Sequence, residues 1–234
     1  MNLDMRNETD ALRERYARRN MGDLYSFTNP DVWQTAQERQ RSILSLFSKQ
    51  LGWKRFDDRR LIEVGCGNGG NLLEMLRFGF APENLSGIEL LEERIIVAKK
   101  VLPSAINIYE GDANQIIIET ASQDIVFQSV VFSSLLDDRF QIELANRMWQ
   151  WVKPGGGVLW YDFIYDNPMN PDVRGIKLKR IRELFPEGKI IIKRVTLAPP
   201  ISRRVCKIHS NLYHVFNIIP LFRTHVLCWI GKSF

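Results

Sequence analysis

The chain has 234 residues, 45% of them hydrophobic, and a net charge of +5. That length allows one large domain with a buried core and leaves little room for a second. No apolar run approaches the roughly eighteen residues that a membrane span needs, and the polar, acidic start MNLDMRNETD is not typical of a secretory signal. The three cysteines have neither metal-ligand spacing nor even pairing, which predicts a cytoplasmic protein without a metal site.

Two helices are predicted ahead of a sheet, one over about 8–19 and one that runs from the cap signal at Asn29 and Pro30 to about residue 50. From Leu61 onward, short apolar runs alternate with helical patterns, which indicates βαβ units around a parallel sheet. The predicted strands are at about 60–65, 85–89, 105–110, 123–129, 156–163, 189–197 and 224–231, and the helices between them are at about 70–78, 91–101, 138–151 and 174–184.

The alternation breaks after the sixth strand, where Pro199 and Pro200 cannot continue a hydrogen-bonded ladder. Residues 200–217 are predicted to form one helix, and THVLCWIGK is predicted to be the last strand. The predicted fold class is therefore α/β, with a Rossmann-like sheet of seven mostly parallel strands, an antiparallel last strand, N-terminal helices and an inserted helical cap. Residues 1–234 are predicted to be a single domain, with a helical lid (1–55), a cofactor-binding core (56–165) and a substrate-side half (166–234).

The segment LIEVGCGNGG fits two glycine patterns at once. Gly65, Gly67 and Gly70 form G-x-G-x-x-G, which seats a pyrophosphate on a helix N-terminus in dinucleotide-binding proteins. Gly65, Gly67 and Gly69 form G-x-G-x-G after an acid, Glu63, and that pattern is typical of loops that hold S-adenosylmethionine. The glycines alone do not choose between the two cofactors.

Polar residues at the ends of the next strands favour S-adenosylmethionine. Glu63 suits the ammonium group of a methionine tail, and Asp112, followed by the small Ala113, suits an adenine amino group. Glu89 suits ribose hydroxyls in either cofactor, and Gln128 ends the fourth strand beside the predicted cofactor wall. The predicted cofactor-binding residues are Glu63, Gly65, Cys66, Gly67, Gly69, Glu89, Leu90, Asp112, Ala113 and Gln128.

Over about residues 60–163 the sequence resembles the class I S-adenosylmethionine-dependent methyltransferases of small molecules. The resemblance rests on LIEVGCGNGGNLLEML, LSGIEL, GDANQI, DIVFQSVVFSSLLDD and MWQWVKPGGGVLWYDF. More loosely, the flanking segments LYSFTNP and LFPEGKIIIKRVTLAPPISR resemble members associated with glycan and polysaccharide gene clusters. The resemblance implies S-adenosylmethionine as cofactor and a hydroxyl of a sugar, nucleotide sugar or glycan precursor as acceptor.

The sequence departs from that family at Ser133 and Ser134, where many relatives carry a histidine. We therefore look for the catalytic base elsewhere. Ligands of open α/β sheets bind beyond the carboxyl ends of the strands, and Asp162 ends the fifth strand there. If the last strand is antiparallel, His225 begins on the same edge. The predicted catalytic residues are Asp162 and His225, although each also suits a structural role.

Charge is distributed unevenly: residues 174–234 carry +11 and the first 173 residues carry −6. This basic quarter predicts an anionic partner, and arginine binds phosphate in a bidentate manner. The predicted substrate residues are Tyr25, Asn167, Arg174, Arg203, Arg204 and His209. The alternatives are an RNA methyltransferase, a basic module that binds RNA or a membrane surface on the same fold, and, less favoured, an NAD-dependent oxidoreductase.

Overall fold

The computed structural model describes residues 3–18 and 22–233, with side chains described from residue 8 onward. Residues 1, 2, 19–21 and 234 of the predicted domain lie outside this described part. The helices are α1 (Leu3–Arg18), α2 (Pro30–Ser45), α3 (Gly70–Phe78), α4 (Glu92–Val101), α5 (Asp138–Trp151), α6 (Leu178–Leu184), α7 (Pro199–Ile208) and α8 (Leu212–Asn217). The strands are β1 (Leu61–Val64), β2 (Leu85–Glu89), β3 (Asn107–Glu110), β4 (Gln123–Ser129), β5 (Val152–Phe163), β6 (Lys189–Leu197) and β7 (Arg223–Gly231).

The seven strands form one sheet in the order β3-β2-β1-β4-β5-β7-β6. In the middle of the sheet, Ile62 of β1 pairs in parallel with Ser86 and Val126. The last strand, β7, is antiparallel to both neighbours, β5 and β6. In this register His225 lies opposite Phe163 on one side and Val195 on the other. The predicted sheet and its antiparallel last strand are confirmed. The strand order reverses between β1 and β4, which is where ligands bind in such sheets.

Helices cover both faces of the sheet, and each face has its own apolar core. On one face, Val126 and Trp160 pack with residues of α5 and α6; on the other, Phe127 and Tyr161 pack with residues of α2 and α3. The α5 helix begins where it does because the Asp137 side chain accepts hydrogen bonds from two free backbone amides of the first turn. Of the helices in the described residues, none is long and apolar enough to cross a membrane.

The predicted helix at 174–184 begins later than expected, at Leu178. The preceding residues bond elsewhere: Arg174 N donates to Ser133 O at 2.8 Å, and Ile176 N donates to Phe163 O at 2.8 Å. Gly175 N donates to the Asp166 carboxylate at 2.9 Å. These bonds tie the chain to the ends of β4 and β5, so it cannot begin a helix before residue 178.

The prediction of a single helix at 200–217 is wrong, because two helices, α7 and α8, occupy this insert. The chain is extended at His209 (φ −162°, ψ 132°), and the His209 ring accepts a hydrogen bond from Asn211 N at 3.1 Å. Side chains such as Ser210 and Asn211 compete for backbone hydrogen bonds and favour helix ends. The insert follows β6 and precedes β7, so it lies at the sheet edge where the parallel strands end.

Candidate active site

A glycine-rich loop joins β1 to α3. Gly65, Gly67 and Gly69 adopt φ values of +66°, +56° and +84°, which side chains rarely tolerate. A Cβ on Gly65 would lie 2.6 Å from Val131 Cγ2, and one on Gly69 would also collide with a neighbouring side chain. Gly70 has no positive φ, and a Cβ there would meet nothing within 4 Å. The loop therefore needs glycine in the G-x-G-x-G pattern and does not need the third glycine of the dinucleotide pattern.

The backbone of Cys66 is part of this loop, but its side chain points away from the loop. Its side chain is buried against β2, where a Cβ on Gly87 would lie 2.6 Å from Cys66 Sγ. Burial raises the pKa of the Cys66 thiol, so the thiol stays protonated. Cys66 packs the loop onto the sheet, and the loop conformation leaves only its backbone near a ligand.

The carboxylate of Glu89 connects the end of β2 to the loop. Glu89 Oε2 accepts a hydrogen bond from Gly67 N at 2.7 Å, and Oε1 accepts from Leu90 N at 2.9 Å and Leu91 N at 3.0 Å. The structure thus brings together three of the predicted cofactor residues, Glu89, Gly67 and Leu90. Each carboxylate oxygen retains lone pairs that hydroxyl groups can use.

Glu63 lies fully buried beneath the loop. Its Oε1 accepts a hydrogen bond from Asn71 Nδ2 at 2.6 Å, whereas Oε2 is buried without a partner among the described residues. Burial raises the pKa of Glu63 to about 8. Arg39 of α2 completes the cluster, donating to Asn71 Oδ1 at 2.7 Å and to Glu74 Oε1 at 3.0 Å.

Arg39, Asn71 and Glu74 are not among the residues that the sequence predicts for the site. No motif connects α2 to the loop, and only the position of Asn71 in the first turn of α3 hinted at a role. The cluster places a guanidinium near Glu63 without bonding it directly, so the free oxygen of Glu63 still lacks a cationic partner. A buried acceptor of this kind is the group that an ammonium ligand would satisfy.

Asp112, after β3, lies under the N-terminal helix. Its Oδ1 accepts from Asn114 N at 2.9 Å, and its Oδ2 accepts from the Thr9 hydroxyl of α1 at 3.1 Å. Ala113, between Asp112 and Asn114 in the chain, is half-buried. Asn114 is 4% exposed, and neither of its side-chain amide atoms has a partner among the described residues. The end of β3 therefore offers one carboxylate and one unpaired amide to a polar ligand.

The α1 helix is fixed over this edge of the sheet by a buried ion pair. Arg15 Nη2 lies 2.8 Å from Glu8 Oε1 and 3.1 Å from Ser134 O, and Glu8 also accepts from Leu136 N at 2.8 Å. The Arg94 guanidinium of α4 lies 4.3 Å from the centre of the Tyr16 ring. The helix thus binds both the loop after β4 and the helix after β2, on either side of the glycine loop.

Gln128 is fully buried near the end of β4 and supports the loop that follows this strand. Its Oε1 accepts from Val131 N at 3.1 Å, and its Nε2 donates to Tyr161 O at 3.4 Å. Val130 between them has a positive φ of 53°. Gln128 holds the strained loop that carries Val131, the residue that Gly65 contacts.

Asp162 is fully buried near the end of β5. Its two oxygens accept from Ser133 N at 3.1 Å and from Phe163 N at 2.9 Å. Burial raises the pKa of Asp162 to about 7. A carboxyl group with this pKa changes its charge near neutral pH, which suits a general base.

His225, the second predicted catalytic residue, lies opposite Phe163 and therefore on the same face as Phe163. Asp162 precedes Phe163 in the strand and faces the other side of the sheet. The His225 ring stacks on Tyr161 with 5.1 Å between ring centres, and burial together with the charge of Arg39 lowers the pKa of His225 to about 4. The two residues thus lie at one edge of the sheet but do not form a catalytic pair.

The six predicted substrate residues are not brought into one cluster. Arg174 forms an ion pair with Asp138 at the start of α5, whereas Arg203 Nε lies 3.9 Å from Asp31 Oδ2 at the start of α2, on the opposite face. Asn167 is exposed, and its Oδ1 accepts from Met169 N within a turn. Tyr25, Arg204 and His209 are all exposed. The basic quarter is therefore split between the two sides of the sheet.

Residues 61–156 match the family model described as "Methyltransferase domain". None of the curated protein sequences matches the chain significantly. The structure is similar to a Haemonchus contortus phosphoethanolamine N-methyltransferase 2 in complex with S-adenosyl-L-methionine (TM-score 0.63, 16% identity, 95% of this chain and 60% of that chain). It is also similar to a protein from Pyrococcus horikoshii OT3 (0.62, 14%, 94% and 99%) and to a SAM-dependent methyltransferase from Archaeoglobus fulgidus (0.55, 14%, 85% and 98%).

At these identities the likeness to the solved structures concerns the fold, and the chain spans 60% of the length of the Haemonchus protein. The fold, the glycine loop and the matched segment agree with one another. Residues 61–156 thus match a methyltransferase-domain model, and the chain shares the fold of the solved proteins named above.

Proposed function

We propose that this protein transfers the methyl group of S-adenosylmethionine to a small acceptor, and that the acceptor is a hydroxyl of a phosphate-bearing sugar, nucleotide sugar or glycan precursor. The observation that carries the proposal is the set of three acids around the left-handed glycines. Glu63 lies within β1, Glu89 ends β2 and Asp112 follows β3, and each retains free acceptor capacity.

The residues present fit this cofactor at three places. The unpartnered oxygen of Glu63 suits the methionine ammonium, and the carboxylate of Glu89 suits the ribose hydroxyls. Asp112 and the unpaired amide of Asn114 suit the polar edge of adenine. Open space at Gly67 allows close approach to the backbone. The Haemonchus relative in its solved structure is a complex with this cofactor, which supports the same proposal.

When bound, the cofactor supplies a methyl group on a cationic sulfur, which needs no further activation. The protein must then align the acceptor oxygen and remove its proton. We propose that Asp162 accepts this proton, because its pKa of about 7 leaves a substantial carboxylate fraction at neutral pH. The hydrogen bonds from Ser133 N and Phe163 N hold that carboxylate at the end of β5.

His225 has a different task in this scheme. With its pKa lowered to about 4, the ring is neutral at physiological pH and is a weaker proton acceptor than Asp162. Its stacking on Tyr161 fixes the plane of the ring. We propose that His225, on the face opposite Asp162 and with its Nδ1 3.0 Å from Thr224 Oγ1, has a structural role at the end of the sheet and does not remove the proton.

Recognition of the acceptor falls to the arginines of the insert. Arg203 remains 39% exposed beside its 3.9 Å contact with Asp31, and Arg204 is exposed, so an anion can reach both guanidinium groups. A Haemonchus relative has been solved with phosphomonomethylethanolamine, a small phosphate-bearing molecule. Tyr25, Asn167 and His209 stay predicted acceptor contacts, whereas Arg174, which is ion-paired with Asp138 on the opposite face, is not proposed to contact the same acceptor.

The first experiment compares binding of S-adenosylhomocysteine and NAD by calorimetry. We expect S-adenosylhomocysteine alone to bind; binding of NAD alone would contradict the proposed cofactor. Transfer from radiolabelled S-adenosylmethionine is then measured with sugar phosphates, nucleotide sugars, phosphoethanolamine and RNA as acceptors. Labelling of the sugar acceptors supports the proposal, whereas labelling of RNA or phosphoethanolamine alone would overturn the proposed acceptor.

The arginines are tested in the same assay with Arg203→Ala/Arg204→Ala. We expect a higher KM for the acceptor with unchanged S-adenosylhomocysteine affinity, because each charged hydrogen bond contributes about 1.5–3 kcal/mol. The matched control is Lys99→Ala/Lys100→Ala, which removes two exposed charges from α4. An unchanged KM in the arginine variant would remove these residues from the acceptor site.

A further inference from the structure

The insert between β6 and β7 exposes an unusual number of large apolar side chains. Ile208 is 79% exposed, Ile218 72% and Leu221 74%, and Val215 and Ile219 are also exposed. All five lie within fourteen consecutive residues. Together with Arg204 and Lys207 we call them the insert surface: Arg204, Lys207, Ile208, Val215, Ile218, Ile219 and Leu221. Exposed apolar clusters of this kind mark interaction sites.

The orientation of the insert surface is set by the opposite side of the same two helices. Tyr213 is fully buried, and its hydroxyl donates to Glu38 Oε2 at 2.6 Å. Asn217 Nδ2 donates to the other oxygen of Glu38 at 2.7 Å. Val205 and Cys206 of α7 are buried as well. One side of each helix is thus buried, with α8 bonded to Glu38 of α2, and Ile208 and Val215 lie on the exposed side.

Basic side chains accompany the apolar ones. Arg204, Lys207 and Ile208 are spaced by three and four residues on α7, so they share one exposed face. Residues 188–234 contain eight lysines and arginines and no acidic residue. The insert surface is therefore both apolar and positively charged.

A second exposed apolar segment lies at the same end of the molecule. Leu24 is 44% exposed and Phe27 67% exposed, in the segment that leads into α2. The start of α2 contacts the insert, since Gln34 Nε2 donates to Ser210 O at 3.3 Å. Asp23 is the acidic residue of this segment. Exposed apolar side chains thus occur in two separate parts of the chain, the insert and the segment before α2.

We infer that the insert surface docks onto an anionic lipid bilayer. Lys207 would lie at the level of the lipid phosphates, and Ile208, Ile218 and Leu221 would enter the boundary between headgroups and acyl chains. RNA binding would leave the exposed aliphatic side chains of the insert surface in water. A second copy of the chain would place one positively charged insert surface against another. This inference does not depend on which acceptor is methylated.

The test is co-sedimentation with phosphatidylcholine vesicles, prepared with and without phosphatidylglycerol. We expect binding to the anionic vesicles that weakens at high salt. Ile218→Ser/Leu221→Ser should reduce the affinity at least about tenfold, since two large apolar groups no longer leave water. Lys207→Ser should reduce it less and flatten the salt dependence. The control is Ile117→Ser/Met169→Ser, since these side chains are 94% and 89% exposed elsewhere.

Circular dichroism and thermal unfolding are used to check that each variant folds, which exposed substitutions should permit. Absence of vesicle binding by the parent chain, or equal binding by the Ile218→Ser/Leu221→Ser variant, would overturn the inference. A dimer in solution that this variant abolishes would assign the surface to a second copy instead. Binding to RNA that this variant weakens, without any binding to vesicles, would equally overturn it. Vesicle binding that the variant loses and the control keeps supports it.

Discussion

Asn71 donates a 2.6 Å hydrogen bond to one carboxylate oxygen of Glu63, and the other oxygen has no partner among the described residues. Burial raises the pKa of Glu63 to about 8, so at neutral pH the group is mostly protonated. An ammonium group beside it would favour the carboxylate, and binding would release a proton. We predict that the affinity for S-adenosylhomocysteine rises with pH up to about 8, by at most about tenfold per unit.

Calorimetry in buffers of different ionisation enthalpy measures that proton release. Glu63→Gln should bind more weakly and lose the pH dependence, whereas Glu92→Gln, at an exposed position on α4, should behave as the parent chain. Undiminished proton release in Glu63→Gln would assign the proton to another group.

Replacement of Glu89 should have two effects on the cofactor site: the loop loses hydrogen bonds, and the ribose loses an acceptor. Glu89→Gln replaces one acceptor oxygen with a donor, so the bonds from Gly67 N or Leu90 N and Leu91 N are lost together with a ribose contact. A charge-assisted bond contributes about 1.5–3 kcal/mol, so the affinity for S-adenosylhomocysteine should fall about tenfold to a hundredfold. Calorimetry measures the change. An unchanged affinity would separate Glu89 from the cofactor.

The glycine loop gives a matched pair of substitutions one residue apart. Gly69→Ala forces a side chain into a φ of +84° and within 2.8 Å of Leu102 Cδ1, which should destabilise the fold by about 1–2 kcal/mol or more. Gly70→Ala meets open space at the start of α3 and should be neutral or slightly stabilising. Denaturant unfolding measures both. Equal destabilisation would contradict the G-x-G-x-G assignment.

Asp162 should control the pH profile of turnover. Asp162→Asn keeps the shape and removes the proton acceptor, so kcat should fall by roughly 10²–10⁴ while S-adenosylhomocysteine affinity holds. Because the pKa of Asp162 is raised to about 7, the activity of the parent chain should increase as pH rises through about 7. A parallel loss of cofactor affinity would make Asp162 a structural residue. A profile that instead rises near pH 4 would favour His225 as the base.

Tyr213 should anchor the insert. Tyr213→Phe removes the 2.6 Å hydrogen bond to Glu38 in a buried setting and should lower the free energy of unfolding by about 1.5–3 kcal/mol. Tyr109→Phe, on a half-exposed ring of β3, is the matched control and should change it little. Thermal or denaturant unfolding measures the stability of both variants. Equal stability of the two variants would show that Asn217 and the packing of the insert suffice.

Local patterns in the sequence predicted the strands well, because alternating apolar runs and helix caps are encoded within a few residues. The break at His209 was missed, since three consecutive poor helix formers are a weak signal within an otherwise helical pattern. The α6 boundary was missed because Arg174 and Ile176 bond to residues 41 and 13 positions earlier in the chain.

Within the site, the motif residues Gly65, Gly67, Gly69 and Glu89 could be predicted because each follows or ends a strand. Arg39 could not, because its partners Asn71 and Glu74 lie more than thirty residues away and no local pattern joins them. Nor could the alternation of strand faces that separates Asp162 from His225 be derived until the register of β5 and β7 was known. Contacts between distant elements decide these features.

The position of β7 between β5 and β6 has a consequence for synthesis. Residues 223–231 leave the ribosome after both neighbouring strands, so β5 and β6 are already made while neither has its partner in the sheet. Each then offers an unpaired edge, and the apolar side chains of β5 await Trp229 and Ile230. A nascent chain that stalls before residue 223 is therefore the species we expect chaperones to bind, and the species most prone to aggregate.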